Sequence, residues 1–360
     1  MMKKIVLVFV LCISLIYVVR CVRIEKLYSK YNNELQVEVA DIYNNADAIV
    51  TIVSDDGYFE SAVNINEIFK KRGMRCSVAG AVTIVEDDLD SWKLLEKEGT
   101  IDLVSHSYNH IRMEEGTEIA EDREALLREI VEADKWYEDE FAKEQIVFVC
   151  PENQMCEMGY EILQESNFYA VRRGARGYNS LSPKEGNEDG EWFNLKVQGI
   201  CDPGVNTDVR NKWIDTAIDE RSWLIEMWHN VMVQDDGMYQ TISILDAEEH
   251  LDYIREKEKA GNIWVATLTD AVKYIREKQN IKIDAKIRNN RIYINTEYTD
   301  DKMQYGIFDH PLTLMITVPE EINVKPMKDS YIVDNNIMVN IIPGQDAVLK
   351  IELPKDVKLK

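Results

Sequence analysis

From about residue 46 to residue 280 the sequence alternates short apolar runs with longer amphipathic stretches. The apolar runs are Ala48–Val53, Arg75–Val85, Ile101–Ser105, Gln145–Cys150, Tyr169–Arg172, Trp223–Trp228 and Asn262–Ala266. Their length suits strands, and their largely apolar character suits buried ones. Helical candidates fall between them, at Ser61–Arg72, Leu89–Glu98, Thr117–Lys143, Glu157–Glu165, Asp246–Ala260 and Leu268–Lys278. The stretch 117–143 spaces its acidic and basic side chains for i,i+4 pairing and reads as a solvated outer face. Such alternation specifies a parallel α/β fold, a barrel or a doubly wound sheet, and about seven strands favour barrel-like closure. Residues 178–222, rich in Gly, Asn, Asp and Pro, break the rhythm and read as a long loop or insertion near the active face.

After Gln279 the texture changes. Ile281–Ile287, Arg291–Asn295, Leu312–Val318, Tyr331–Val333, Ile337–Ile342 and Ala347–Leu353 are short β-rich runs separated by Asn-Asn, Asp-Asp and Pro-Gly turns. Charge draws the same division. Residues 285–360 hold 10 basic and 11 acidic side chains, and residues 1–24 hold four basic and none acidic. That leaves 28 basic and 54 acidic side chains, a charge of −26, for 25–284. The expected domains are therefore an N-terminal segment 1–24, an α/β domain 25–284 and a small all-β domain 285–360. A net charge of −23 excludes a nucleic-acid partner, since phosphate binding needs clustered Lys and Arg.

Met1–Lys4 is a short positive region and Ile5–Val19 an almost unbroken apolar run, the pattern of a secretory signal peptide or uncleaved signal anchor. The globular part is then expected outside the cytoplasmic membrane, secreted or anchored at its outer face, with membrane contact only through this segment. Four cysteines follow in the exported part: Cys76, Cys150, Cys156 and Cys201. Their spacing fits no metal pair, and both buried thiols and disulfides remain open. Oligomeric state is not legible.

Three strings carry chemistry. Val53-Ser54-Asp55-Asp56-Gly57-Tyr58 stands where a buried strand ends, the position at which barrels keep catalytic groups; a surface turn explains it equally well in isolation. Ser105-His106-Ser107-Tyr108-Asn109-His110 follows the apolar strand 101–105, and histidines at i and i+4, on one face of a helical turn, can grip one metal ion. Trp228-His229-Asn230 ends the run 223–228. The chain has only five histidines, so two in this spacing is an enrichment.

In this order the three strings resemble those of the polysaccharide deacetylase family, metal-dependent carbohydrate esterases of the chitin, peptidoglycan and nodulation-factor deacetylase type. The resemblance covers about residues 46–280 and includes Asn262-Ile263-Trp264-Val265-Ala266-Thr267 with the helix after it. It implies a distorted (β/α) barrel of seven strands, here with a small C-terminal all-β domain. It implies hydrolysis of an N- or O-linked acetyl group on a glycan, with zinc or another divalent transition metal ion as cofactor. Carried over, Asp56, His106 and His110 would be metal ligands, Asp55 the general base and His229 the general acid. One departure bears on catalysis. The family places an Arg three residues before a Pro to hold the base, and Phe148 stands there, before Val149-Cys150-Pro151. Arg172, Arg173 or Arg176 could replace it. The alternative, slightly favoured by the missing Arg, is a catalytically weak, metal-containing glycan-binding protein.

Overall fold

The computed structural model describes residues 2–186, 190–234, 238–324, 330–333 and 336–352, with backbone alone for 2–16 and 20. The chain divides into two compact units, 41–279 and 1–40 together with 280–360.

In the unit 41–279, seven parallel strands close a barrel: β1 (Ala48–Ser54), β2 (Cys76–Gly80), β3 (Ile101–Ser105), β4 (Val147–Val149), β5 (Ala170–Arg176), β6 (Leu195–Gly199) and β7 (Trp223–Trp228). They pair in sequence order, and β7 returns to β1 in register from Ile49↔Trp223 to Ser54↔Trp228. Every residue of β1 and β7 is buried, as expected of strands covered inside by the barrel and outside by helices. The ring is uneven. β3 meets β4 through the single pair Ser105↔Phe148. On its other edge β1 touches β2 only at Val53 and Ser54, and the strand Ile263–Val265 pairs with β1 lower down, from Ala48 to Val50.

The strand count is as expected, but the set differs. Asn262–Ala266 lies outside the ring, and Leu195–Gly199, inside the stretch read as a loop, takes its place. That stretch also forms the helix Thr207–Glu220, started by Asn206, whose side chain accepts the Val209 N–H. Arg75–Val85 is a strand only to Gly80 and then turns into the short helix Val82–Val85. The charged stretch 117–143 is helical from Arg123 to Phe141, with one π-helical turn at Arg128–Glu132.

The other unit holds two four-stranded antiparallel sheets around one core. One contains Ile281–Arg288, Arg291–Tyr298, Ala347–Glu352 and Asn323–Val324. Its first hairpin turns at Asn289-Asn290, both at positive φ, the conformation that two-residue turns require and asparagine tolerates. The other sheet contains Leu312–Thr317, Asn336–Ile341, Ser330–Val333 and, at its edge, Gln36–Val39. Leu353, expected to end the last strand, lies outside the described residues.

The expected boundaries at 24 and 284 thus differ from the observed units. Residues 25–40 belong with the tail because Gln36–Val39 pairs with Leu312–Thr317 and Tyr31 is buried in the tail core. Asn32 also exchanges two hydrogen bonds with the backbone of Ile287. The N-terminal apolar run lies on the helix Met2–Glu34. Among the described residues no helix is long and apolar enough to cross a membrane. It follows that a chain of residues 41–279 should unfold in one cooperative transition. A chain of 1–280 should bind a hydrophobic dye, because Tyr31 and the strand 36–39 lose their cover. A 41–279 chain without a cooperative transition would contradict this division.

The described cysteines, Cys21, Cys76, Cys150, Cys156 and Cys201, are free thiols. Burial pushes the Cys150 thiol up to about 12, which makes it inert at neutral pH.

Candidate active site

All three strings arrive at the carboxyl end of the barrel. Asp55 and Asp56 follow β1, His106 follows β3, and His229 follows β7. The Asp-Asp-Gly turn is held tightly. The Asp55 N–H donates to the Trp228 carbonyl at 2.9 Å, and Asp56 takes a left-handed φ of 77°. Gly57 follows at φ 84°, where a Cβ would lie 2.8 Å from the Gly80 Cα, so this turn needs glycine.

His106 and His110 lie on an irregular loop, not on the helical turn expected from their spacing. Ser107 and His110 both have positive φ, and the His110 N–H donates to Ser107 Oγ at 3.0 Å. The loop is fastened from the π-helical turn. Buried Glu129 accepts hydrogen bonds from the Asn109 backbone at 2.8 Å and the Asn109 side chain at 2.6 Å, while its carbonyl accepts the Tyr108 N–H. The extra residue of a π-turn alters the helix register, a device found often at functional sites. The two imidazoles still meet, with ring centroids 4.8 Å apart.

Asp56 Oδ1 lies 3.1 Å from His110 Nε2 and 3.7 Å from His106 Nε2. One donor atom from each of the three residues falls within 4.8 Å of the others. His106 Nδ1 donates to the Val149 carbonyl at 2.8 Å, which leaves Nε2 with its lone pair toward the cluster. Two imidazole nitrogens and a carboxylate oxygen suit a divalent transition ion and leave room for further ligands, so the donor set fits the metal that the resemblance implies. Burial of Asp56 works against ionisation, yet the His106 and His110 imidazoles beside it hold its carboxyl well below the usual carboxylate range. The same contact raises the His110 imidazole above its ordinary value.

Asp55 is 5% exposed and Arg172, on β5, is fully buried. Arg172 Nη2 donates to Asp55 Oδ2 at 2.5 Å, and Nη1 to Asn153 Oδ1 at 2.5 Å. The guanidinium missing at Phe148 on β4 thus comes from the neighbouring strand, where Val149 pairs with Arg172. Of the three arginines considered, only Arg172 pairs with Asp55. Arg173 Nη1 donates to Asn194, and Arg176 forms a two-pronged pair with Asp202. Asp55 Oδ1 has no hydrogen-bond partner, and neither does His229 Nδ1, although both are buried. Buried polar atoms without partners call for an explanation, and at this end of the barrel a ligand's polar atoms would supply one.

His229 is placed through its backbone. Its carbonyl accepts hydrogen bonds from Ser54 Oγ at 2.5 Å and Ser61 Oγ at 3.3 Å. The ring stands edge-on to Tyr239, with centroids 4.9 Å apart. Burial lowers its pKa, partly offset by Asp55 and Asp56. Asn153, Glu129 and Tyr239 had no role in the sequence reading. None lies in a recognisable motif, and Glu129 is one acid among many on a charged helix.

No protein family's sequence model matches the chain, and no curated protein matches it. Solved structures similar to it are CE4 family enzymes and relatives. A Mycobacterium smegmatis protein described as a polysaccharide deacetylase is 8% identical, over 67% of this chain and 94% of that one, with a TM-score of 0.48. A CE4 family pseudoenzyme from Bacillus anthracis is 14% identical, over 62% of this chain and 65% of that one, with a TM-score of 0.43. A family 4 acetyl xylan esterase from Clostridium thermocellum, solved with a cobalt ion, is 13% identical over 62% and 89%, with a TM-score of 0.42. Identities and scores this low leave the chemistry to the residues themselves.

Proposed function

We propose that this chain is an exported, metal-dependent hydrolase that removes N- or O-linked acetyl groups from a polysaccharide or cell-wall glycan. Export rests on the N-terminal segment, with the protein secreted or anchored at the outer face of the cytoplasmic membrane. The observation that carries the reading is the Asp55–Arg172 pair beside the Asp56, His106 and His110 cluster. The missing Arg at position 148 slightly favours the weak-binder alternative, and the Arg172 guanidinium on Asp55 weighs against it.

A zinc ion, or another divalent transition ion, held by Asp56, His106 and His110 would supply Lewis acidity toward an acetyl carbonyl. Arg172 fixes the Asp55 carboxylate through Oδ2, which leaves Oδ1 to take the proton of an attacking water. His229 gives a proton to the departing amine or alkoxide, and its lowered pKa makes the imidazolium a stronger acid for that task. The balance is one proton taken from water by Asp55 and one given by His229 to the leaving atom. Acetate released from acetylated oligosaccharides by the wild-type chain, and not by Asp55→Asn, supports the reading. Equal release by both would remove Asp55 from the chemistry.

Leaving-group chemistry tests His229 separately. On an acetamide, His229→Ala should lower turnover by about 10²–10⁴, the usual worth of general acid–base catalysis. On an activated aryl acetate, whose phenolate departs without a proton, the same variant should approach wild-type rates. Equal loss on both, or none on either, would make His229 a structural residue at the end of β7.

A further inference from the structure

The unit formed by 1–40 and 280–360 carries a groove of about 500 Å³, well away in sequence from every residue of the proposed active site. It lies between the loop that follows Arg291–Tyr298 and the turn that follows Asn336–Ile341. Its apolar part is Tyr305, 55% exposed, and Ile342, 37% exposed, over buried Phe308 and Pro343. The Tyr305 ring is held in place by several contacts. Tyr305 stacks on Tyr298 with centroids 4.8 Å apart and planes 27° from parallel. Its hydroxyl accepts the Tyr298 N–H at 3.3 Å, and the Tyr298 hydroxyl donates to the Phe308 carbonyl at 3.0 Å.

The facing turn is shaped to the same ring. Gly344 has φ 77°, and a Cβ there would come within 2.6 Å of the Tyr305 ring. Its N–H donates to Thr296 Oγ1 at 2.9 Å, which fastens the turn to the sheet. The polar groups along the groove are Thr296, Gln345 and Asp309, and Asp309 is its one charged side chain among the described residues. The exposed part of this fixed ring and the Ile342 side chain, with amide, hydroxyl and carboxylate groups beside them, offer a pyranose a surface for its apolar C–H face and partners for its rim of hydroxyls. The lone acid disfavours an anionic polymer. Because the ring is already ordered, little conformational entropy is lost on binding.

We infer that this groove is a second saccharide site, binding an uncharged polysaccharide through Tyr305 independently of the barrel. Only the choice of a glycan probe leans on the proposed function; the groove's geometry does not.

The test uses the full chain in co-sedimentation with insoluble chitin and with insoluble acetylated xylan, with polygalacturonate as an anionic competitor. Tyr305→Ala should weaken retention on at least one neutral polymer by about tenfold, the effect of losing a central aromatic anchor. Tyr305→Phe should keep most of the binding, and Tyr331→Ala, a tyrosine outside the groove, all of it. Hydrolysis of a small acetylated sugar should be unchanged in all three. Wild-type retention on neither polymer, equal retention by Tyr305→Ala and wild type, equal loss in Tyr305→Ala and Tyr331→Ala, or displacement by polygalacturonate would each overturn the inference. Retention needs no turnover, so binding through Tyr305 by a chain that hydrolyses nothing would sink the hydrolase reading and leave the groove standing.

Discussion

On the proposed function, replacing His106 and His110 together by alanine should abolish binding of a divalent ion and acetyl hydrolysis, whereas Asp55→Asn should leave ion binding intact. The three donor atoms lie within 4.8 Å of one another, and the double variant leaves Asp56 alone. A lone carboxylate cannot hold a transition ion against buffer. The loss should exceed the roughly 10–100-fold that removal of an outer hydrogen-bond partner typically costs. Acidity gives a second signature. His110 is raised by its hydrogen bond with Asp56 and carries its proton to a higher pH than an ordinary histidine. An ion needs the lone pair, so that proton must leave, and apparent affinity should fall by about tenfold per pH unit below the His110 pKa for one displaced proton. Competition with a chromogenic chelator across pH measures both effects. Full occupancy in the double variant would contradict the ligand set.

The second large effect belongs to Arg172. Asp55 and Arg172 are both buried, and removing one partner of such a pair leaves an uncompensated charge. Arg172→Leu should therefore cost about 3–5 kcal/mol of stability. It should also lower turnover by about 10²–10⁴, since the general base loses its orientation. The Asp55→Asn, Arg172→Leu double variant separates the two roles. With both charges gone, stability should recover toward wild type while activity stays lost, and the two activity losses should not add. All three variants should hold their ion. Full activity in Arg172→Leu would leave the Asp55–Arg172 pair with a packing role only.

Much of the barrel is legible in the sequence because its strands are buried on both faces. Ala48–Ser54 and Trp223–Trp228 are apolar runs interrupted only by Thr51, Ser54 and Glu226, and each carries its site residue just past its end. Leu195–Gly199 was lost because only Leu195 and Val197 face the core, amid a Gly- and Asn-rich stretch. The helix Thr207–Glu220 did carry a signal, the cap Asn206 before Thr207-Asp208. Asp56, His106 and His110 are legible as candidate ligands through the resemblance, but the loop that joins them is not, because a left-handed Ser107 and the Glu129 clamp are tertiary choices. Arg172 was visible as one arginine among three. Only the register Val149↔Arg172 singles it out, by setting its side chain next to the strand where the guanidinium is missing.

The most direct measurement is acetate released from N-acetylated and O-acetylated glycans by the purified chain, as isolated, after chelation, and after return of one equivalent of zinc. At least one member of the panel should release acetate, with loss on chelation and recovery with zinc. Release untouched by complete removal of the ion, or no acetate from any glycan by a chain shown to hold one ion, would contradict the proposed function.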